Sequence, residues 1–151
     1  MRSKKSYWFE VSVHLQRMAE DGSNKAVTEI YAVDANSFSE AEKRIQKELS
    51  TQVRGGIEVK NINPAPYKEV FFTDDETGDH WYKAKLSFIS LDEESGKEKR
   101  SNTTYLVQAD TFAEALRNVE HFMDGASDYV TANICETKIV EVYQRWRTVT
   151  L

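Results

Sequence analysis

The side chains best suited to chemistry are three histidines, one cysteine and a run of acids, and their spacing does not bring them together. His14, His80 and His121 share no short spacing with a cysteine, a carboxylate or a second histidine of the kind a zinc site draws on, where ligands sit a few residues apart. They read as surface or edge residues. Cys135 has no local motif, and a lone cysteine usually behaves as a small apolar side chain. Asp74-Asp75-Glu76-Thr77-Gly78-Asp79 is acidic enough to suggest calcium, but it lacks the alternating acids and the twelfth-position glutamate of a calcium loop. A solvated linker is the expectation there. Gly55-Gly56 beside Arg54 shows neither of the glycine patterns that cradle phosphate. The sequence therefore predicts no catalytic residue, no metal ligand and no cofactor. General acid-base or nucleophilic catalysis needs two or three convergent groups, and only residues distant in sequence could supply them here. A pocket setting His14 or His121 beside a carboxylate or Cys135 would reverse that expectation.

The tryptophans carry more. Trp8 and Trp81 lie at matching places in two similar segments, with Glu10, Ser12 and His14 beside one and Lys83, Lys85 and Ser87 beside the other. An aromatic on an otherwise polar sheet face can be a stacking platform for a base or ring. Packing of both rings against the other half of the chain, or against each other, is the favoured expectation. Trp146, within Arg145-Trp146-Arg147, is either a tail contact or an exposed binding tip. Trp8, Trp81, Lys83, Lys85, His14 and Trp146 are thus the candidate ligand or partner residues.

The elements that must position them form an internal repeat. Tyr7–Leu15 overlies His80–Phe88 at a shift of 73 residues, with Phe9, Val11, Val13 and Leu15 matching Tyr82, Ala84, Leu86 and Phe88. Apolar residues at every second position mark a strand with one buried face. At a shift of 74, Glu20, Gly22 and Lys25 fall on Glu94, Gly96 and Lys99, in polar turn sequences, and Tyr31–Ala41 falls on Tyr105–Ala115. Ser37 with Glu40, and Thr111 with Glu114, have the spacing of a capping box, which satisfies free amides at a helix start. Phe38, Ala41, Ile45 and Leu49 form one apolar stripe, and Phe112, Ala115, Val119, Phe122 and Met123 the other, at helical spacing. Phe38 and Phe112 are expected to be buried where each helix meets its sheet. At a shift of 72, Asn61-Ile62 falls on Asn133-Ile134, and Glu69-Val70-Phe71 on Glu141-Val142-Tyr143, giving closing strands. Pro64 and Pro66 interrupt the first and mark a bend or sheet edge. Cys135-Glu136-Thr137-Lys138 marks a bulge or turn in the second.

The fold class is therefore α+β, an internal duplication of a β-β-α-β unit with mainly antiparallel sheets and one helix packed per repeat. Residues 1–72 form the first repeat with a basic N-terminal segment, 73–79 an acidic linker, and 80–151 the second repeat with a basic C-terminal tail. A chain of 151 residues is long enough for a hydrophobic core. Residues 7–72 carry 8 basic and 10 acidic side chains and residues 80–143 carry 7 and 11, within a net charge of −5. Both halves would repel a phosphate backbone, so nucleic acid is an unlikely partner, with only the basic ends in its favour. No apolar run approaches the ~20 residues that span a bilayer, and the single cysteine allows no internal disulfide. The expectation is a cytoplasmic protein.

The strand-to-helix junction V-x-A-x-[ST]-F-x-E-A, at residues 33–41 and 107–115, occurs in many unrelated small domains and carries no function. Over its whole length the chain is similar to an uncharacterised family, a domain of unknown function found in gut Bacteroidales and their phages. That resemblance implies an accessory protein and supplies no functional residues. Duplication favours a pseudo-two-fold binding surface, so the expected function is a non-catalytic binding or adaptor protein acting through protein contacts. The runner-up is capture of a nucleotide-like small ligand between the halves, with Trp8 and Trp81 stacking and Lys83 or Lys85 near phosphate. A nucleic-acid-binding accessory protein comes third.

Overall fold

Alternating apolar and polar residues become long strands in both halves, and each capped junction becomes a helix. The computed structural model describes residues 2–73, 78–126 and 128–144. In chain order these form β1 (Arg2–Lys5), β2 (Trp8–Met18), β3 (Asn24–Asp34), α1 (Phe38–Ser50), β4 (Glu58–Pro64) and β5 (Tyr67–Phe72). There follow β6 (His80–Leu91), β7 (Glu98–Ala109), α2 (Phe112–Phe122), β8 (Tyr129–Glu136) and β9 (Ile139–Tyr143). The structure is mixed α+β, mostly strands, with two helices and two sheets among the described residues. No helix among them is long and apolar enough to cross a membrane.

The chain divides into two compact units, and neither is one continuous stretch. One draws on Ser6–Ala65 and the chain from Lys138 onward. Its sheet has the order β4-β2-β3-β9. β2 and β3 form a hairpin from Trp8↔Asp34 to Met18↔Asn24, turning at Gly22, whose φ of +85° suits a residue without Cβ. β4 pairs antiparallel with β2, slipping one residue after Ser12↔Asn61, and β9 pairs parallel with β3. The chain passes from β3 to β4 across β2, which lies between them, and α1 makes the crossing and touches all three strands. Ala41, Ile45 and Leu49 are fully buried against Phe9, Val11, Val13 and Leu15. Ser37 caps α1 by accepting from the Glu40 amide at 3.1 Å, and the Glu40 carboxylate accepts from the Asn36 amide at 3.1 Å.

The other unit draws on the residues through Lys5 and on Pro66–Thr137. Its sheet has the order β1-β5-β7-β6-β8. The β6–β7 hairpin runs from His80↔Ala109 to Leu91↔Glu98. β8 pairs antiparallel with β6, slipping after Lys85↔Asn133, β5 pairs parallel with β7, and β1 closes antiparallel on β5. Thr111 caps α2 as Ser37 caps α1, accepting from the Glu114 amide at 3.1 Å. Ala115 and Val119 lie in the core with Tyr82, Ala84, Leu86 and Val107.

Two placements differ from the sequence reading. Phe38 and Phe112 are 52% and 56% exposed, not buried. Each is the first residue of its helix, one turn ahead of the positions that look down on the sheet, so the inward stripe starts at Ala41 and Ala115. The Phe38 ring makes an edge contact with Phe9, with ring centroids 5.1 Å apart. The closing strands also behave unlike simple extensions of their halves. Pro64 ends β4 at the edge of one sheet, Pro66 precedes β5, and β5 joins β7 in the other sheet. Cys135–Lys138 holds the matching turn, after which β9 pairs with β3. A proline cannot donate to a ladder, so the chain changes sheets where its ladder bonds are already lost.

Candidate functional site

The residues with binding potential in the sequence are dispersed. Trp8 and Trp81 point away from the helix-covered faces, as alternation requires, and both are only 3% exposed. The Trp81 ring meets Phe72 edge-on at 5.6 Å, while the Trp8 indole N–H has no hydrogen-bond partner among the described residues. Each sheet thus buries a second face: Ala32, Ile139 and Val142 accompany Trp8, and Val70, Phe72 and Leu106 accompany Trp81. Lys83 sits 5.9 Å from the Tyr67 ring centroid, and Lys85 is exposed. His14 approaches the Thr28 hydroxyl, Nδ1 to Oγ1, at 3.4 Å. Trp146 lies outside the described residues, as do Asp74, Asp75 and Glu76 of the acidic segment.

Among the described residues, His80 is brought beside a carboxylate, with Nδ1 3.1 Å from Glu136 Oε1 across the β6–β8 ladder. Both side chains are about half exposed. An exposed pair of this kind contributes little to stability. Cys135 is exposed and its thiol donates to Asn133 Oδ1 at 2.9 Å. Among the described residues no three His, Cys, Asp or Glu side chains gather where they could hold a metal.

A different cluster forms towards the turn end of the β2–β3 hairpin. Phe9, Val11, Val13 and Leu15 face α1, and alternation puts Arg17 next on that face, with Glu29 opposite Val13. Arg17 Nε donates to Glu29 Oε1 at 2.8 Å, and its Nη2 donates to the Tyr31 hydroxyl at 3.2 Å. The Tyr31 hydroxyl in turn donates to Glu29 Oε1 at 3.3 Å. Tyr31 is 1% exposed and stacks on Tyr143 of β9 with centroids 5.6 Å apart and planes 13° from parallel. A buried tyrosine needs a partner for its hydroxyl, and the ion pair supplies one.

The electrostatics follow from this packing. The hydrogen bond to Glu29 raises the Arg17 guanidinium above its ordinary value. Burial raises Tyr31, and the Glu29 charge raises it further. Burial, helped by Tyr31 and Glu141, pushes Tyr143 up to about 12. Both phenols and the guanidinium therefore keep their protons at neutral pH.

Two clefts open beside the cluster. A smaller one of about 220 Å³ is lined by Tyr31, Tyr143, Val140 and Glu141, among others, and a larger one of about 520 Å³ by Met18, Asn24, Val53 and Arg54, among others. Arg17 and Gln52 line both. The signal for this site was present in the alternation, because Arg17 and Glu29 continue an inward apolar face with charged residues. It was not decisive, since the pairing with Tyr143 depends on β9 joining β3.

Comparison with known proteins adds a family and no activity. The family described as a domain of unknown function, DUF4494, matches residues 7–145. No curated protein and no solved structure matches the chain.

Proposed function

The chain belongs to the DUF4494 family, and from that premise we propose that it is a non-catalytic binding protein whose partner is another protein, recognised along the open edge of β8. What supports this is the contrast among the four sheet edges that the described residues form. An unpaired strand edge offers a row of free backbone groups to a second chain, and proteins blunt such edges with charge, proline, bulges or brevity. β1 has four residues, three of them basic, and β9 has five. β4 ends in Pro64 and carries Lys60 at its register slip. β8 has eight residues, no proline and no basic side chain, with Ala132 at its slip and Val130 43% exposed. It is the least guarded edge, and an extended peptide can add to such an edge as a further strand.

We also infer that the chain arose by duplication of a β-β-α-β unit. The supporting observation is register: the hairpin pair Phe9↔Val33 maps onto Tyr82↔Val107 under the sequence shifts. The slip after Ser12↔Asn61 maps in the same way onto the slip after Lys85↔Asn133. The parallel pairs Tyr31↔Glu141 and Glu69↔Tyr105 correspond once the closing strands are exchanged. Reciprocal exchange of one strand is what a swapped homodimer would carry into a single chain after fusion. A cytoplasmic setting, in gut Bacteroidales or their phages, is part of the same proposal and rests on the lone cysteine and the family resemblance.

The nucleotide reading ranks below, because stacking needs an open ring face and both indoles are buried. The experiment is affinity capture from the native host with wild-type protein and with Val130→Lys, analysed for proteins and for small molecules released on heating. Hydrogen exchange is followed in the captured complex. The expected result is one stoichiometric protein that Val130→Lys fails to retain, with slowed exchange across Tyr129–Glu136. A partner held equally by the variant, with unchanged exchange in β8, refutes the edge. A stoichiometric nucleotide with no protein retained refutes the protein-partner reading altogether.

A further inference from the structure

We propose that the clefts around Arg17 and Gln52 bind a small organic anion, its oxyanion held between Arg17 and Arg54 in the larger cleft and its uncharged body lying towards Tyr143. The volume comes first. About 520 Å³ lies within the ~300–1,000 Å³ of ordinary small-molecule sites. The second point is charge. The chain is net −5, yet among the described residues the larger cleft is lined by two guanidinium groups, three amide side chains, Met18 and Val53 and by no acid, with Arg17 paired to Glu29 behind it and Arg54 the second cation. Glu141 lines the smaller cleft, so an anionic end is favoured in the larger one and a neutral end in the smaller.

Arg17 is also preorganised. Its Nε and Nη2 are engaged by Glu29 and Tyr31, which fixes the plane of the guanidinium and leaves Nη1 without a protein partner among the described residues. A rigid fork loses little freedom on meeting an oxyanion. Arg54 follows Gln52 and Val53 at the end of α1, where the Gln52 and Val53 amides both donate to the Leu49 carbonyl at 3.1 Å. Backbone order thereby delivers Gln52, Val53 and Arg54 to one wall.

The repeat alignment makes the opening specific to one half. Arg17 pairs with Ser90, Glu48 with Phe122, and Tyr143 with Phe71. In that other unit Phe71 is sandwiched between Phe122 at 4.0 Å and Tyr105 at 4.9 Å. Where one half fills this position with a third aromatic ring, the other has a carboxylate on α1 and an arginine on the hairpin. The proposal is independent of the β8 edge, which lies in the other unit.

The test is titration of the full chain, followed by backbone amide NMR shifts, with N-acetylphenylalanine, phenyl phosphate and the uncharged N-acetylphenylalaninamide. One of the two anions should give saturable shifts at Asn24, Gln52, Val53 and Arg54, and which one does so separates a carboxylate from a phosphate ligand. The neutral amide should bind at least about tenfold more weakly. Arg54→Gln, at an exposed position, should weaken binding at least about fivefold with an unchanged fold, and Arg17→Gln should weaken it further. No saturation by either anion up to about 20 mM, equal binding of the amide, or an Arg54→Gln affinity within about twofold of wild type would overturn the proposal.

Discussion

Replacing Gly78 by alanine tests how the junction before β6 is built. A Cβ there would lie 2.6 Å from Gln108 Cγ, 3.0 Å from the Ala109 amide nitrogen and 3.3 Å from Ala109 Cα. The first distance falls about 0.8 Å short of ordinary contact, so something must move. Gln108 is not free to move. Its Oε1 accepts from the Thr73 amide and hydroxyl at 3.1 and 3.2 Å, and its Nε2 donates to the Gly78 carbonyl at 2.7 Å. Ala109 is held opposite His80 in the hairpin ladder. Displacing the glutamine gives up bonds worth ~0.5–1.5 kcal/mol each, and overpacking generally costs ~1–3 kcal/mol. The expected loss for Gly78→Ala is therefore about 2 kcal/mol, measured as a lowered urea midpoint at constant m. A double-mutant cycle sharpens the test. Gln108→Ala removes Cγ, so in that background Gly78→Ala should cost at most about 1 kcal/mol, with only the Ala109 contacts left. A single-mutant cost below about 0.5 kcal/mol, or strict additivity of the two substitutions, would refute the reasoning.

The exposed helix-start rings and the buried helix stripe should separate in denaturant: Phe38→Ala and Phe112→Ala should cost about 1 kcal/mol, against ~2–5 kcal/mol for Ile45→Ala. Ser37→Ala and Thr111→Ala should each cost ~0.5–2 kcal/mol, as lost caps do, with similar values at the two sites because the cap geometry is the same. Tyr143 sits at about 12 in the folded protein, against an ordinary value of 10.0. A raised folded pKa means that its stabilising contribution is complete below pH 10 and is lost as pH climbs towards 12. Thermal melts across that range should decline less steeply in Tyr143→Phe, and an equally steep decline would show that burial does not hold this phenol protonated.

Much of the fold was legible because its signals are local. Phe9 to Leu15 and Tyr82 to Phe88 alternate over enough residues to fix a strand face. The S/T-x-x-E spacing at Ser37 and Thr111 fixed both helix starts to the residue. The two prolines marked where a strand must stop. The same local pattern misread Phe38 and Phe112, because a helical stripe does not say which of its turns reaches the sheet. The candidate site was largely hidden. Arg17 and Glu29 can be seen breaking an inward apolar face, but nothing near them in sequence points to Gln52 or Tyr143.

The sequence by itself determined the local choices of conformation, because alternation, capping and turn chemistry act within a few residues. Tertiary structure alone decided the partners. Glu69-Val70-Phe71 and Glu141-Val142-Tyr143 look interchangeable as strands, and each carries the same apolar alternation whichever sheet receives it. That β5 pairs with β7 and β9 with β3 depends on which combination buries most apolar surface across residues far apart in the chain, a quantity no local window contains. Burial of Trp8 and Trp81 was settled in the same way. Their alternation fixes which way they point, but only the assembled sheets decide whether that side meets water.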